Sequence, residues 1–139
     1  MTGLLFTLPF SPIQAPDSRY YLSAADSFPS SMDGAHFGYV GFVGLLRVGL
    51  AVGSGPVFCV IVNSIGVIAA ALALLQLGRR YSGEVAGWVA ATFYLLHPLV
   101  NQWTRYVLTE TLFFAGVVLT AYCLRRAIDL DRLTWSPLW

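Results

Sequence analysis

Two carboxylates carry the chemistry this chain can offer. Glu110 lies in an otherwise apolar run between Arg105 and Leu119. Taking a carboxylate out of water is costly unless it meets a polar cavity or a partner, so an acid there marks either a functional site or a structural tie between helices. Asp17 lies in a segment rich in Pro and Ser. It has the basicity to act as general base on an acceptor hydroxyl, or the charge to hold a divalent cation that neutralises a phosphate leaving group. It is also a residue type that caps helices, and it follows Pro16 where a short helix over 17–25 would begin.

Groups suited to an anionic substrate surround these acids. Arg19 can pair with a phosphate or stand as the solvated neighbour of Asp17. On a continuous helix Tyr106 and Trp103 fall one and two turns before Glu110, so one face leads two polar-tipped aromatics to the acid. Arg105 would lie roughly 140° around that helix from Glu110 and would reach the interface or an anionic headgroup instead. Asp26 and Asp33 read as turn residues, and His97, ahead of Pro98, as a helix-end residue. Cys59 and Cys123 sit in apolar runs without ligand spacing and read as small core residues.

The elements that must position these groups are those of a membrane protein. The 139 residues are 57% hydrophobic and 11% charged, with a mean hydropathy of +0.68, where soluble domains carry about a quarter charged residues. A net charge of +1 and the absence of Lys exclude a nucleic-acid partner and leave the lipid bilayer as the expected one. The length allows one domain.

Within it, 1–10 reads as a loop or the remnant of a first membrane helix, and 11–38 as an extramembrane loop. The membrane part, 39–126, divides further. Residues 39–52 make a helix of about 21 Å, too short to cross and suited to an interfacial or partial insertion. Pro56 to Leu77, without a charge, forms the first full span. Glu84 to Leu96, extended to Trp103 across His97-Pro98, forms a second, and Tyr106 to Leu124 a third, followed by a tail over 127–139. Arg79-Arg80 and Arg125-Arg126 are separated by two spans, so the bias of Arg toward cytoplasmic loops places both pairs inside. The 11–38 loop and the turn from His97 to Arg105 then lie outside, with Glu110 about 6 Å within the third span.

Four segments also occur in the order and spacing of a known family: Pro16 to Ala25, beginning Pro16-Asp17-Ser18-Arg19-Tyr20-Tyr21; His36 to Leu46; Leu77 to Gly83, containing Gly78-Arg79-Arg80-Tyr81; and Leu108 to Phe113, containing Thr109-Glu110-Thr111. Together they resemble the N-terminal part of GT-C membrane glycosyltransferases, in the superfamily of the dolichyl-phosphate-mannose protein mannosyltransferases and aminoarabinose transferases. The resemblance implies an all-α integral membrane bundle, in the bacterial inner membrane, that transfers a sugar from a polyprenyl-phosphate donor. In that family an acid opening the first outer loop is taken as catalytic, and Asp17 holds its position. Glu110 is then a second catalytic acid in the same cavity, with Arg19, Tyr20, Arg105 and Tyr106 as substrate-binding residues and a divalent cation, Mg or Mn, as the expected cofactor. Ser18 stands where the family usually has another acid. Family members have eight or more spans, so the expectation is an N-terminal part that needs the remainder of the enzyme. The competing classes are a small multi-span transporter subunit, in which an intramembrane Glu couples ion movement, and a non-catalytic membrane scaffold.

Overall fold

A computed structural model describes residues 12–29, 39–107 and 109–135. Among them the chain is helical apart from its links, in six helices. The 1–10 run, Asp33 and His36 lie outside the described residues.

Helix α3 (Gly55–Ser82) is the longest element. Pro56 occupies its first turn, where a missing N–H costs nothing, and nothing breaks the helix at Leu77. It runs on through Arg79 and Arg80 until Gly83, whose φ of +92° is a backbone state that favours glycine. Its 28 residues span about 42 Å, more than the roughly 30 Å of a bilayer's hydrocarbon.

Helix α4 (Glu84–Leu96) returns along α3, and the two backbones touch. A Cβ on Gly87 would stand 2.5 Å from the Leu75 carbonyl oxygen, and one on Gly78 would stand 2.6 Å from the Gly87 Cα. Ala70, Ala71 and Ala73 of α3 and Ala91 of α4 are buried, so small side chains continue the close approach. An Arg79–Glu84 ion pair bridges the turn, and the same guanidinium lies 5.9 Å over the Trp88 ring.

The expected second span is not one helix. Pro98 sterically disfavours helical backbone at the residue before it, and His97 is extended at φ −62°, ψ 123°. The segment therefore splits into α4, 13 residues long, and α5 (Pro98–Thr104), 7 residues long. At about 20 Å, α4 falls short of the hydrocarbon thickness. Asn101 turns back across the break and donates from Nδ2 to the Leu95 carbonyl at 2.7 Å. Two helices of the described residues, not three, are long and apolar enough to cross a membrane.

The second of these is α6 (Glu110–Trp135). It starts at Glu110 instead of Tyr106 and continues past Arg125 and Arg126, so part of the expected 127–139 tail is helical. It runs beside α3 in the same direction. Gly66 faces Leu112 and Ala115, the Tyr122 hydroxyl donates to Gln76 Oε1 at 2.6 Å, and Arg80 meets Asp129 at 2.9 Å.

The N-terminal elements close one end of this frame. Helix α2 (Val40–Ala51) has 12 residues, about 18 Å. Helix α1 (Pro16–Ser27) packs on it through Tyr21, Ala24 and Ala25 against Phe42, Val43 and Leu46, with Cys59 and Val107 completing the cluster. Asp17 is not the N-cap of α1. Ala15 takes that place and Pro16 the first helical position, which leaves Asp17 second in the helix.

Candidate functional site

The site forms where the chain from 12 to 18 meets the irregular link between α5 and α6. Where α5 ends, the Arg105 and Tyr106 N–H groups still donate back to the Gln102 and Trp103 carbonyls, but the carbonyls of 105–107 and the Val107 N–H have no partner in α5, and buried backbone groups must find some. These find them far away in sequence. The Ile13 N–H donates to the Arg105 carbonyl at 2.8 Å, and the Val107 N–H donates to the Ile13 carbonyl at 3.3 Å, a single parallel bridge between Ile13 and Tyr106.

Two buried polar side chains complete the junction. Ser18 is fully buried; its Oγ accepts the Ala15 N–H at 2.9 Å and donates to the Val107 carbonyl at 3.0 Å. Asn63, fully buried on α3, donates from Nδ2 to the carbonyls of Tyr106 at 3.1 Å and Thr104 at 3.4 Å. Neither residue stood out as a functional candidate from sequence. Asn63 did carry a signal, since it is an amide inside the charge-free run of α3. The signal of Ser18 was its place beside Asp17, where the family usually has an acid.

This junction sets the start of α6. The Thr109 carbonyl accepts the Phe113 N–H at 2.9 Å, and Glu110 follows as the first helical residue. Glu110 is therefore not an acid one turn inside a span. It stands at a helix N-terminus, where a carboxylate complements the helix dipole, and this explains how an apolar run tolerates it. Its Oε2 is buried and has no hydrogen-bond partner among the described residues. The face shared by Trp103, Tyr106 and Glu110 does not form, because the helix is interrupted between them.

The structure places the other expected residues as follows. Asp17 and Arg19 are exposed on the first turns of α1, and Tyr20 is 40% exposed. Tyr21, one turn after Asp17, turns inward and meets Tyr39 and Phe42 edge-to-face at 5.3 Å each. Burial, then the neighbouring Tyr39 and the Glu110 charge, push the Tyr21 hydroxyl above its ordinary pKa, against a hydrogen bond with Thr109. Tyr21 thus connects the helix bearing Asp17 to the start of the helix bearing Glu110. Arg105 ends α5 and is half-buried, as is Tyr106. Asp17, Arg105, Tyr106 and Glu110 are brought to one end of the bundle, whereas Arg19 and Tyr20 lie on the exposed part of α1.

Two openings meet there. A cleft of about 380 Å³ is lined by Tyr39, Phe42, Thr109, Glu110, Phe113 and Phe114. A groove of about 420 Å³, almost wholly apolar, runs between α4, α5 and α6 and is lined by Tyr94, His97, Val100, Trp103, Phe114 and Val118. Trp103 stacks on Phe114 at 5.9 Å, and Phe114 borders both spaces. An acid-bearing cleft thus adjoins an aromatic-walled apolar groove. Among the described residues no three His, Cys, Asp or Glu side chains gather closely enough to hold a metal ion.

Comparison with known proteins finds a family match over most of the chain. Residues 44–139 match the family described as dolichyl-phosphate-mannose-protein mannosyltransferase. The match includes Arg105, Tyr106 and Glu110 and begins after Asp17, Arg19 and Tyr20. Neither a curated protein nor a solved structure matches the chain. With more than two thirds of its residues aligned from α2 through α6, the chain belongs to the dolichyl-phosphate-mannose-protein mannosyltransferase family.

Proposed function

We propose that the chain is the part of a membrane glycosyltransferase that receives a polyprenyl-phosphate sugar and presents it to an acceptor. One observation carries this reading: the cleft bearing Glu110 and the apolar groove share Phe114. A donor with a polar sugar-phosphate head and an apolar prenyl tail needs such a pair of adjoining surfaces. Asp17, on the exposed first turn of α1, takes the proton of the acceptor hydroxyl as the oxygen attacks the sugar and the polyprenyl phosphate leaves. Glu110 orients the donor head through its unsatisfied oxygen, and Arg105 and Tyr106 flank it. A Mg or Mn ion takes about six oxygen ligands, so Asp17 and Glu110 would need further donors to hold one.

The test uses membranes carrying the chain completed by the remaining spans of a full-length relative, given a photoreactive, radiolabelled polyprenyl-phosphate sugar. Retention of the donor and transfer of the sugar are read separately. Asp17→Asn is expected to keep retention and lower transfer by about 10² to 10⁴, the range for losing a positioned base. Glu110→Gln is expected to lower retention itself. Donor retention and transfer unchanged in both variants would remove the two acids from the site.

The same reading proposes a topology in which the junction faces outward and the arginine pairs face the cytoplasm, in a bacterial plasma membrane. Gln102, on α5, and Ser82, at the end of α3, are both exposed. A membrane-impermeant thiol reagent is expected to label Gln102→Cys from outside in a Cys59→Ala/Cys123→Ala background and to leave Ser82→Cys unlabelled until the membrane is opened. Labelling of both from outside would refute the arrangement.

A further inference from the structure

At the opposite end of the α3–α6 pair lies a second cleft, of about 350 Å³, which the proposed transfer reaction does not use. Arg79, Arg80, Arg125 and Arg126 line it, with Gln76 and Tyr122 at its inner wall. One carboxylate, Asp129, faces them; its side chain is 11% exposed and lies 2.9 Å from both Arg80 and Arg125. Glu84 pairs with Arg79 from the α4 side. Among the described residues two carboxylates therefore meet four guanidinium groups, and Arg126 has no ion pair. Arg125 is held over the Tyr81 ring at 5.3 Å, and its Nε is buried without a hydrogen bond among the described residues. The cleft is positive, and its arginines are positioned by ion pairs and ring contacts instead of trailing in solvent.

Its place along the helices fits a lipid interface. From Glu110 to Asp129 is 19 helical steps along α6, about 28 Å, close to the roughly 30 Å hydrocarbon thickness of a bilayer. Nearly two turns inward of Arg79, on the same face of α3, Leu72 is 54% exposed, an apolar surface suited to an acyl chain. We propose that this cleft binds the phosphate headgroup of an anionic membrane phospholipid, with the acyl chains lying along the apolar surface of α3 and α6. Arg guanidinium groups match phosphate geometry and concentrate anionic headgroups near a membrane surface. The proposal rests on α3 and α6 crossing the bilayer and is independent of which sugar or acceptor the other end handles.

The experiment titrates the detergent-solubilised full chain with short-chain phosphatidylglycerol, with phosphatidylcholine of the same chain length and with inorganic phosphate, reading melting temperature and retained lipid by mass spectrometry. Phosphatidylglycerol is expected to raise the melting temperature and to be retained, and the other two are not. Arg126→Gln, on an exposed side chain with no ion pair among the described residues, is expected to weaken retention about fivefold, and Arg80→Gln/Arg126→Gln about 30-fold, from the effect of one Arg near an anionic surface. Equal response to phosphatidylcholine would show that only the apolar surface binds. Equal response to inorganic phosphate would show a free-anion site, and unchanged retention in both variants would place the lipid elsewhere; each of the three overturns the proposal.

Discussion

Replacing Gly87 by Leu is expected to separate α4 from α3. The Cβ alone would lie 2.5 Å from the Leu75 carbonyl oxygen and 2.9 Å from the Arg79 amide nitrogen, and both are backbone atoms of a regular helix that cannot rotate aside. Even Gly87→Ala must drive the helices apart, an overpacking that costs typically 1–3 kcal/mol, and each further carbon of Leu widens the gap. The loss falls on the largest helix–helix contact among the described residues and reaches the groove walled by Tyr94 and His97 of α4. Gly78 and Gly87 meet each other, so Gly78→Ala and Gly87→Ala should be markedly non-additive when combined. Gly116→Ala is the control: its Cβ would meet nothing within 4 Å, and Ala improves a helix interior by roughly 0.5–1 kcal/mol over Gly. Melting temperatures in one detergent should therefore fall for Gly87→Ala, fall further for Gly87→Leu, and hold or rise for Gly116→Ala. A Gly87→Leu protein that melts with the wild type would contradict the packing described for this hairpin.

Asn63→Leu should release the link between α5 and α6 while leaving the hairpin intact. The Asn63 amide satisfies two main-chain carbonyls that no helix can reach, Thr104 and Tyr106. A buried acceptor left without a donor costs about 1–3 kcal/mol, and more where no water can replace the partner. Asn63→Asp should be as damaging, because it removes the donor and sets a carboxylate against the same carbonyls. Amide hydrogen exchange gives the readout. Val107 and Ile13, paired across the bridge, should lose protection in both variants, and amides in the middle of α3 should keep it. Because the start of α6 is set by this link, donor retention should fall along with protection at Val107. Unchanged protection at Val107 in Asn63→Leu would show that the link holds itself.

The sequence made the long elements legible and left the joints obscure. A charge-free run after Pro56 announces α3 because a helix that meets no charge and no breaker has no local reason to stop. The same run misplaces its end, since Arg79 and Arg80 are good helix formers and only Gly83 terminates the helix. Counting apolar residues through His97-Pro98 yields a third span on length alone. The steric constraint on the residue before proline outweighs length there and divides the segment. The start of α6 was beyond local reading, because the residues that withdraw Tyr106 from the helix are Ile13, Ser18 and Asn63, all remote in sequence. Asp17 and Glu110 stand beside the junction, one residue from Ser18 and one from Thr109. The surroundings of Glu110 were not legible, because a helix N-terminus and a mid-helix position look alike in an apolar run.

The Ser18–Val107 hydrogen bond joins residues 89 apart, and this imposes an order on the chain as it is made. At about 5–20 residues per second, a ribosome needs on the order of 5–20 s to go from the first partner to the second. During that interval α1 has no 105–107 segment to dock against, so Ser18 and Ile13 must find water or temporary partners. By the time Val107 leaves the ribosome, the α3–α4 hairpin, whose contacts are local, has its full sequence available. The end of the bundle that carries Asp17 thus cannot close until the link just before α6 has been made.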